Sequence, residues 1–236
     1  MQGLPFVRLK TGTVQLPLPL VRVGNHVVGS EIVSAPLKRL RIADTLACRD
    51  GKIVIGREFI RLAGRGSYYH IAMFSESEHG PSVIEMAEDH GGREVTWEQW
   101  ISERDGFVDV FRPDYGGMHH YDRRGAMNWM RHNIVNQPYG HDVIRRFLRQ
   151  DSWLTWWWNR PCLDENAPPP TTWVCSTAKA CADKYGGGVS PVRGLWAGDV
   201  QPNDEARAQL NEYVMTVVGK MPLSLIQELD EASYGQ

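Results

Sequence analysis

The sequence predicts an α+β domain in which an antiparallel sheet packs on helices, and three patterns predict it. Tyr68 to Phe74 and Ser82 to Met86 read as consecutive short strands joined by a polar loop. Met127, Met130 and Ile134 fall at helical spacing, as do Val143, Phe147 and Leu148. A small-residue run opening at Cys175 and stopped by Gly186-Gly187-Gly188 reads as a further helix.

The elements follow in order along the chain. Residues 1–40 carry Pro5, Pro17, Pro19 and Pro36 and little acidic charge, which predicts an extended N-terminal arm. Inside it, Val21-Arg22-Val23 and His26-Val27-Val28 flank Gly24-Asn25, a pair suited to a tight hairpin because glycine accepts positive φ, and β-pairing is expected to dock the arm. Residues 41–236 form the main domain. A short apolar strand is expected at Thr45 to Cys48, a helix around Arg57 to Ala63, then the two strands above. Trp97 to Glu103 reads as a helix capped by Thr96, followed by a strand at Phe107 to Phe111. The two helices of the second pattern lie on either side of Pro138. Residues 150–173 hold Trp153, Trp156, Trp157, Trp158 and Pro168-Pro169-Pro170 and read as a looped insert. The helix from Cys175 to about Lys184 and one after Pro202-Asn203-Asp204 complete the set.

Composition narrows the function. The chain has 236 residues, 42% of them hydrophobic, enough to bury one core. Lys plus Arg number 26 against 28 for Asp plus Glu, so a formal charge of -2 offers no general attraction for nucleic acid or an anionic membrane. Neither a signal peptide nor a membrane span is visible, and a cytoplasmic protein is expected. The four cysteines, Cys48, Cys162, Cys175 and Cys181, show no zinc spacing and are expected as reduced thiols. Cys175 and Cys181 on one helix would be separated by roughly 9 Å of rise and point to different faces, which forbids a disulfide.

Three segments carry candidate chemistry. Cys175 opens a helix, where the end charge and unpaired N–H groups favour a thiolate and can hold an oxyanion; the same residue also fits as a small buried cysteine. His70 begins a strand whose alternation places Tyr68, His70, Ala72 and Phe74 on one face. Glu85 is a lone carboxylate in the apolar run Ser82 to Met86, where burial demands a partner. If a loop from Ser75 to Gly80 pairs Phe74 with Pro81, His70 stands directly opposite Glu85, close enough for the carboxylate to fix the imidazole tautomer. A structural His–Glu pair fits this pattern too. His119-His120, His132 and His141 lack metal-ligand spacing, so no metal and no cofactor is expected. The tryptophan run fits a sugar, lipid or protein contact, or packing of the insert on the core. Tyr68 is a candidate for lining the substrate cleft, or a core aromatic.

The order of these segments resembles the permuted branch of the NlpC-type papain-like cysteine hydrolases, the YiiX-like group. The matching residues are Tyr69-His70-Ile71-Ala72-Met73-Phe74, Val83-Ile84-Glu85-Met86 and Trp173-Val174-Cys175-Ser176. Val110-Phe111-Arg112-Pro113, Gln137-Pro138-Tyr139-Gly140 and Val200-Gln201-Pro202-Asn203-Asp204 match further, over about residues 44–213. The chain departs from the group at Thr177-Ala178, Gly140-His141 and Ala43-Asp44. The resemblance implies a circularly permuted papain-like fold and a Cys175–His70–Glu85 triad cleaving an amide bond, as in cell-wall peptides. A lipid amidase or acyltransferase on the same fold, acting on a lipid-like substrate, and a non-catalytic binding or assembly module are the alternatives.

Overall fold

A computed structural model of the chain describes residues 40–49, 67–104, 107–113, 120–151 and 164–208, with strands at 21–23, 26–28 and 211–218. Strands β1 (Val21–Val23) and β2 (His26–Val28) pair antiparallel with Val23 opposite His26, the register a two-residue connection requires. They form their own sheet and do not extend the main one. The rest of the expected arm, the helix at Arg57 to Ala63, and Trp153, Trp156, Trp157 and Trp158 lie outside the described residues.

Among the described residues the main sheet has six strands: β3 (Thr45–Arg49), β4 (Tyr68–Ser77), β5 (Gly80–Ala87), β6 (Gly91–Thr96), β7 (Phe107–Pro113) and β8 (Asn211–Val218). Their spatial order is β6-β5-β4-β3-β7-β8, with every neighbouring pair antiparallel. The α+β architecture, an antiparallel sheet with helices, is therefore as the sequence predicts. Strands β6 and β8 were not anticipated.

The helices are α1 (Trp97–Ser102), α2 (Arg123–Ile134), α3 (His141–Asp151), α4 (Cys175–Cys181) and α5 (Pro202–Arg207). Thr96 Oγ1 accepts from Gln99 N at 3.2 Å and Asp122 Oδ1 from Gly125 N at 2.8 Å, so each of α1 and α2 begins at a side-chain cap. α4 runs on into a π-type turn, Ala182–Gly186, before the glycines. α5 starts with Pro202 at a position where a missing N–H costs nothing.

Helices cover both faces of the sheet. On one, Leu46, Ala72, Phe74, Val83 and Val110 pack with Trp97, Trp100 and Ile101 of α1. On the other, Met73, Ile84 and Met86 pack with Ala126, Met130 and Ile134 of α2 and with Ala178 and Cys181 of α4. Ala126, Met130 and Ile134, at i, i+4 and i+8 of α2, form its buried stripe, while Met127, expected in it, is only partly buried beside it. Buried Asp44 accepts both a pair of bonds from Arg112 and one from Arg123, fixing the start of β3 to β7 and α2.

The β4–β5 hairpin corrects the expected register. Ser77 pairs with Gly80, so the turn is the two residues Glu78-His79, and Gly80 adopts φ +109°, open to glycine. Ser77 Oγ closes the turn by donating to Gly80 O and accepting from His79 N, each at 3.2 Å. Phe74 consequently pairs with Val83, and it is Ala72, not His70, that stands opposite Glu85. The shift is two residues. Because side chains alternate with period two, it leaves His70 and Glu85 on a common face as diagonal neighbours.

Candidate active site

His70 Nε2 lies 2.7 Å from Glu85 Oε2, a direct bond between the first strand of the hairpin and the second. If Nε2–H donates to the carboxylate, the lone pair of the neutral ring is on Nδ1. Glu85 is completely buried and His70 is 8% exposed.

Glu85 does more than hold His70. The same Oε2 accepts from Trp100 Nε1 at 2.8 Å and from Arg104 Nη2, while Oε1 accepts from Arg93 Nε at 2.9 Å and Nη2 at 2.6 Å. Arg93 faces Glu85 directly across β5–β6, and Trp100 and Arg104 arrive on α1 and just after it. The guanidinium of Arg104 also stacks on the Trp100 ring, 4.8 Å from its centre. Burial alone would raise the carboxyl's pKa. The His70 hydrogen bond, the charges of His70 and Arg104 and the Trp100 N–H outweigh it and hold Glu85 ionised well below the usual carboxylate range. Sequence reasoning missed these three partners. Arg93 had a readable signal: across a short turn after Ala87, the residue eight beyond Glu85 is its cross-strand neighbour, but Gly91-Gly92-Arg93-Glu94 carries too little apolar alternation to read as a strand.

Cys175 is the first residue of α4 and 2% exposed. The β4–β5 register ends at Ala72 opposite Glu85, short of the start of β4 at Tyr68, and α4 packs against both strands through Met73 and Ile84. The backbones of Ile71, the residue after His70, and of Ser176 come near enough to the Cys175 sulfur to favour its thiolate. Burial pushes the thiol up to about 11; the two neighbouring backbones oppose it, and the charges of Glu205 and Glu85 add to it. The thiolate expected from the helix start is thus not the resting form. Val174 N donates to Thr177 Oγ1 at 3.0 Å and Thr177 Oγ1 donates back to Val174 O at 3.2 Å, fixing the first turn of the helix. Cys48, Cys175 and Cys181 are all free thiols.

The face pattern of β4 is also corrected. Cys48 pairs with His70 but Arg49 with Tyr68, so Tyr69 is an extra residue, a β-bulge. The alternation breaks there. Tyr68 turns to pack with Ala47, Ile71, Phe111 and Ala206, and Tyr69 joins Ala72 and Phe74. The Tyr68 hydroxyl donates to Asp109 Oδ2 at 2.8 Å, and Asp109 also accepts from Arg49 Nε at 2.5 Å. The structure therefore brings His70 and Glu85 into direct contact, sets Cys175 against the backbone of the next residue, and directs Tyr68 to Asp109.

Two of the histidines outside this site have local contacts, and His119 lies outside the described residues. His132 Nδ1 lies 2.7 Å from Asn128 O one turn earlier in α2, and the His141 ring packs edge-on to Tyr139. Among the described residues no group of three or more His, Cys, Asp or Glu side chains is arranged to hold a metal, and no helix is long and apolar enough to cross a membrane.

No family model and no curated protein matches the chain. Among solved structures it is similar to the crystal structure of metalloprotein yiiX from Escherichia coli O157:H7, DUF1105, at 16% identity, over 77% of this chain and 98% of that one, with a TM-score of 0.41.

Proposed function

We propose that this chain is a cysteine hydrolase of the permuted papain-like type that cleaves an amide bond, with Cys175 as nucleophile, His70 as base and Glu85 as the group that orients His70. The observation that carries the reading is the 2.7 Å His70–Glu85 bond, with Cys175 at a helix start near the backbone of Ile71, the residue after His70.

Each step follows from what these groups can do. Glu85 holds Nε2–H, so Nδ1 is the basic nitrogen. With a thiol held up at about 11, the proton leaves as the sulfur attacks: Nδ1 takes it, the S–C bond forms, and the carbonyl electron pair becomes an oxyanion. Backbone N–H groups at the start of α4 supply donors for that charge. Collapse of the intermediate expels the amine, which takes the proton from His70. Water then attacks the thioester with His70 again as base, releasing the carboxylic acid and restoring the thiol. The resemblance of the triad segments points to a peptide amide; a lipid-like amide or ester fits the same steps.

The test combines chemistry and labelling. Amine release from pooled peptide and N-acyl substrates should vanish in Cys175→Ala and fall about 10²- to 10⁴-fold in His70→Ala, the usual contribution of a general base. Iodoacetamide at neutral pH should label Cys175 before the fully buried Cys48 and Cys181, and faster than the thiolate fraction of about 10⁻⁴ expected for such a thiol allows. Amine release that survives in Cys175→Ala overturns the proposal. Labelling of Cys175 that His70→Ala leaves unchanged favours the binding module instead.

A further inference from the structure

α5 is one and a half turns long, yet two of its side chains are buried among groups from both halves of the candidate site. Asn203 Oδ1 accepts from Tyr68 N at 3.1 Å and Asn203 Nδ2 donates to Tyr68 O at 3.1 Å. One side-chain amide thus takes both backbone groups of the first residue of β4, in the pattern a neighbouring strand would use. It does so where the extra residue Tyr69 breaks the ladder to β3 and buried backbone groups most need partners. His70 follows two residues later, so the direction of its ring depends on how the bulge is held.

Glu205, two residues along α5, reaches the other half. Its Oε1 accepts from Thr45 Oγ1 of β3 and lies near Lys179 Nζ, both at 3.4 Å. Lys179 sits one turn after Cys175 on α4 and is completely buried. Its ammonium also bonds Asp183 Oδ2 at 2.6 Å, whose other oxygen takes the Tyr121 hydroxyl. The short helix is therefore tied to β4 just before His70 and to α4 just after Cys175.

We infer that α5 is a positioning element of the candidate site: Asn203 sets the direction of His70 through the backbone of Tyr68, and Glu205 sets the placement of Cys175 through Lys179. The inference rests on the reading of Cys175 and His70 as nucleophile and base. The residue types match the task. A primary amide carries one acceptor and one donor and so can engage both groups of a single peptide residue; a carboxylate lacks the donor and leucine has neither.

Two signals test it in the full chain. One is solvent exchange of the His70 Nε2–H proton, followed by ¹⁵N-edited NMR; the other is the rate at which iodoacetamide alkylates Cys175, mapped by mass spectrometry. Asn203→Leu should speed the exchange and slow the alkylation, each by about ten-fold or more, since small misplacement of a reacting group is costly. Asn203→Asp, which keeps the acceptor, should shift both less and serves if the leucine variant does not fold. Glu205→Gln should slow alkylation and leave the exchange unchanged. Ile134→Ala, in the α2 core, should lower the melting temperature and move neither signal beyond about two-fold. Wild-type exchange and alkylation in folded Asn203 variants overturn the inference, as does an Ile134→Ala effect equal to theirs. Alkylation that His70→Ala leaves unchanged refutes the catalytic reading alone, and the exchange of the His70 proton then decides for or against the role of Asn203.

Discussion

Replacing Glu85 with Gln should damage stability and catalysis by separable amounts. The carboxylate accepts from His70, Trp100 and Arg104 at one oxygen and twice from Arg93 at the other, with no exposed surface. Gln keeps one acceptor and turns an NH₂ toward donors, whichever way it is flipped. Arg93 retains Glu103 as a partner, but Arg104, stacked on Trp100, loses the carboxylate it bonds. Breaking a buried pair from one side costs about 3–5 kcal/mol. For a chain of this size that is a fall in Tm of about 6–20 °C. The effect on His70 is different in kind: an amide oxygen turned toward Nε2–H preserves the tautomer, an NH₂ reverses it.

The pH dependence gives a second reading of the same substitution. Glu85 is held below its ordinary pKa, so its contribution is present above the usual carboxylate range, about 4.3, and is lost as pH falls toward its folded value. Urea unfolding from pH 7 to pH 3 should show wild-type stability dropping toward that of Glu85→Gln as the pH falls. Alkylation of Cys175 at pH 7 should be slowed less than in His70→Ala, because the carboxylate acts on the ring and not on the sulfur. A Glu85→Gln protein whose Tm stays within about 2 °C of wild type, well inside the shift expected for losing a buried charge pair, would refute the account of the nest.

Two further substitutions probe the surroundings. One ammonium, Lys179, faces two carboxylates, Asp183 and Glu205; burial first and the Asp183 charge next push Glu205 up to about 7 against the pull of Lys179. A raised carboxyl stabilises fully below its ordinary range and loses that contribution as pH rises through about 7. Glu205→Gln should therefore lose less stability than wild type between pH 5 and pH 8 in urea titrations, and parallel curves would contradict this. Gly92→Ala should cost about 3 kcal/mol or more by thermal unfolding, because the added Cβ would fall on the backbone carbonyl of Ile134, which ends α2; a Tm near wild type would show that β6 and α2 can separate freely.

What could be read in the sequence and what could not has a common cause, the range over which each feature is determined. The His70–Glu85 pairing was legible because strand alternation has period two: the turn is tighter than expected and the register moves by two residues, which preserves the face. A one-residue error would have separated them. The bulge at Tyr69 was not legible, because the residue that holds it, Asn203, comes 135 positions after Tyr68. That is why Tyr68 was placed with His70 and is found with Asp109. β8 escaped because its sequence partner is β7, far upstream. The cap of α1 and the core stripe of α2 were readable since Thr96 and the spacing of Met130 and Ile134 act within a few residues, whereas the Asp122 cap of α2 was not read. The raised thiol of Cys175 was invisible for the opposite reason: a helix start suggests a thiolate locally, while the burial that reverses it depends on every element packed around α4.

That reversal bears on how the proposed chemistry is divided. His70, Glu85, Arg93, Trp100 and Arg104 all lie between residues 70 and 104, so the carboxylate that holds the proposed base is itself held by its own stretch of chain. Cys175 arrives from a separate helix and is kept protonated by burial. Catalysis by such a thiol needs proton removal coupled to attack, which is the task for which an imidazole fixed by a buried, ionised carboxylate is suited. An enzyme that stored a thiolate–imidazolium pair would gain little from the Glu85 nest beyond stability; one that stores a thiol needs the base aimed before substrate arrives. The two arginines and the indole that crowd Glu85 serve that second design, because they fill the acceptor positions His70 leaves and hold the carboxylate in place.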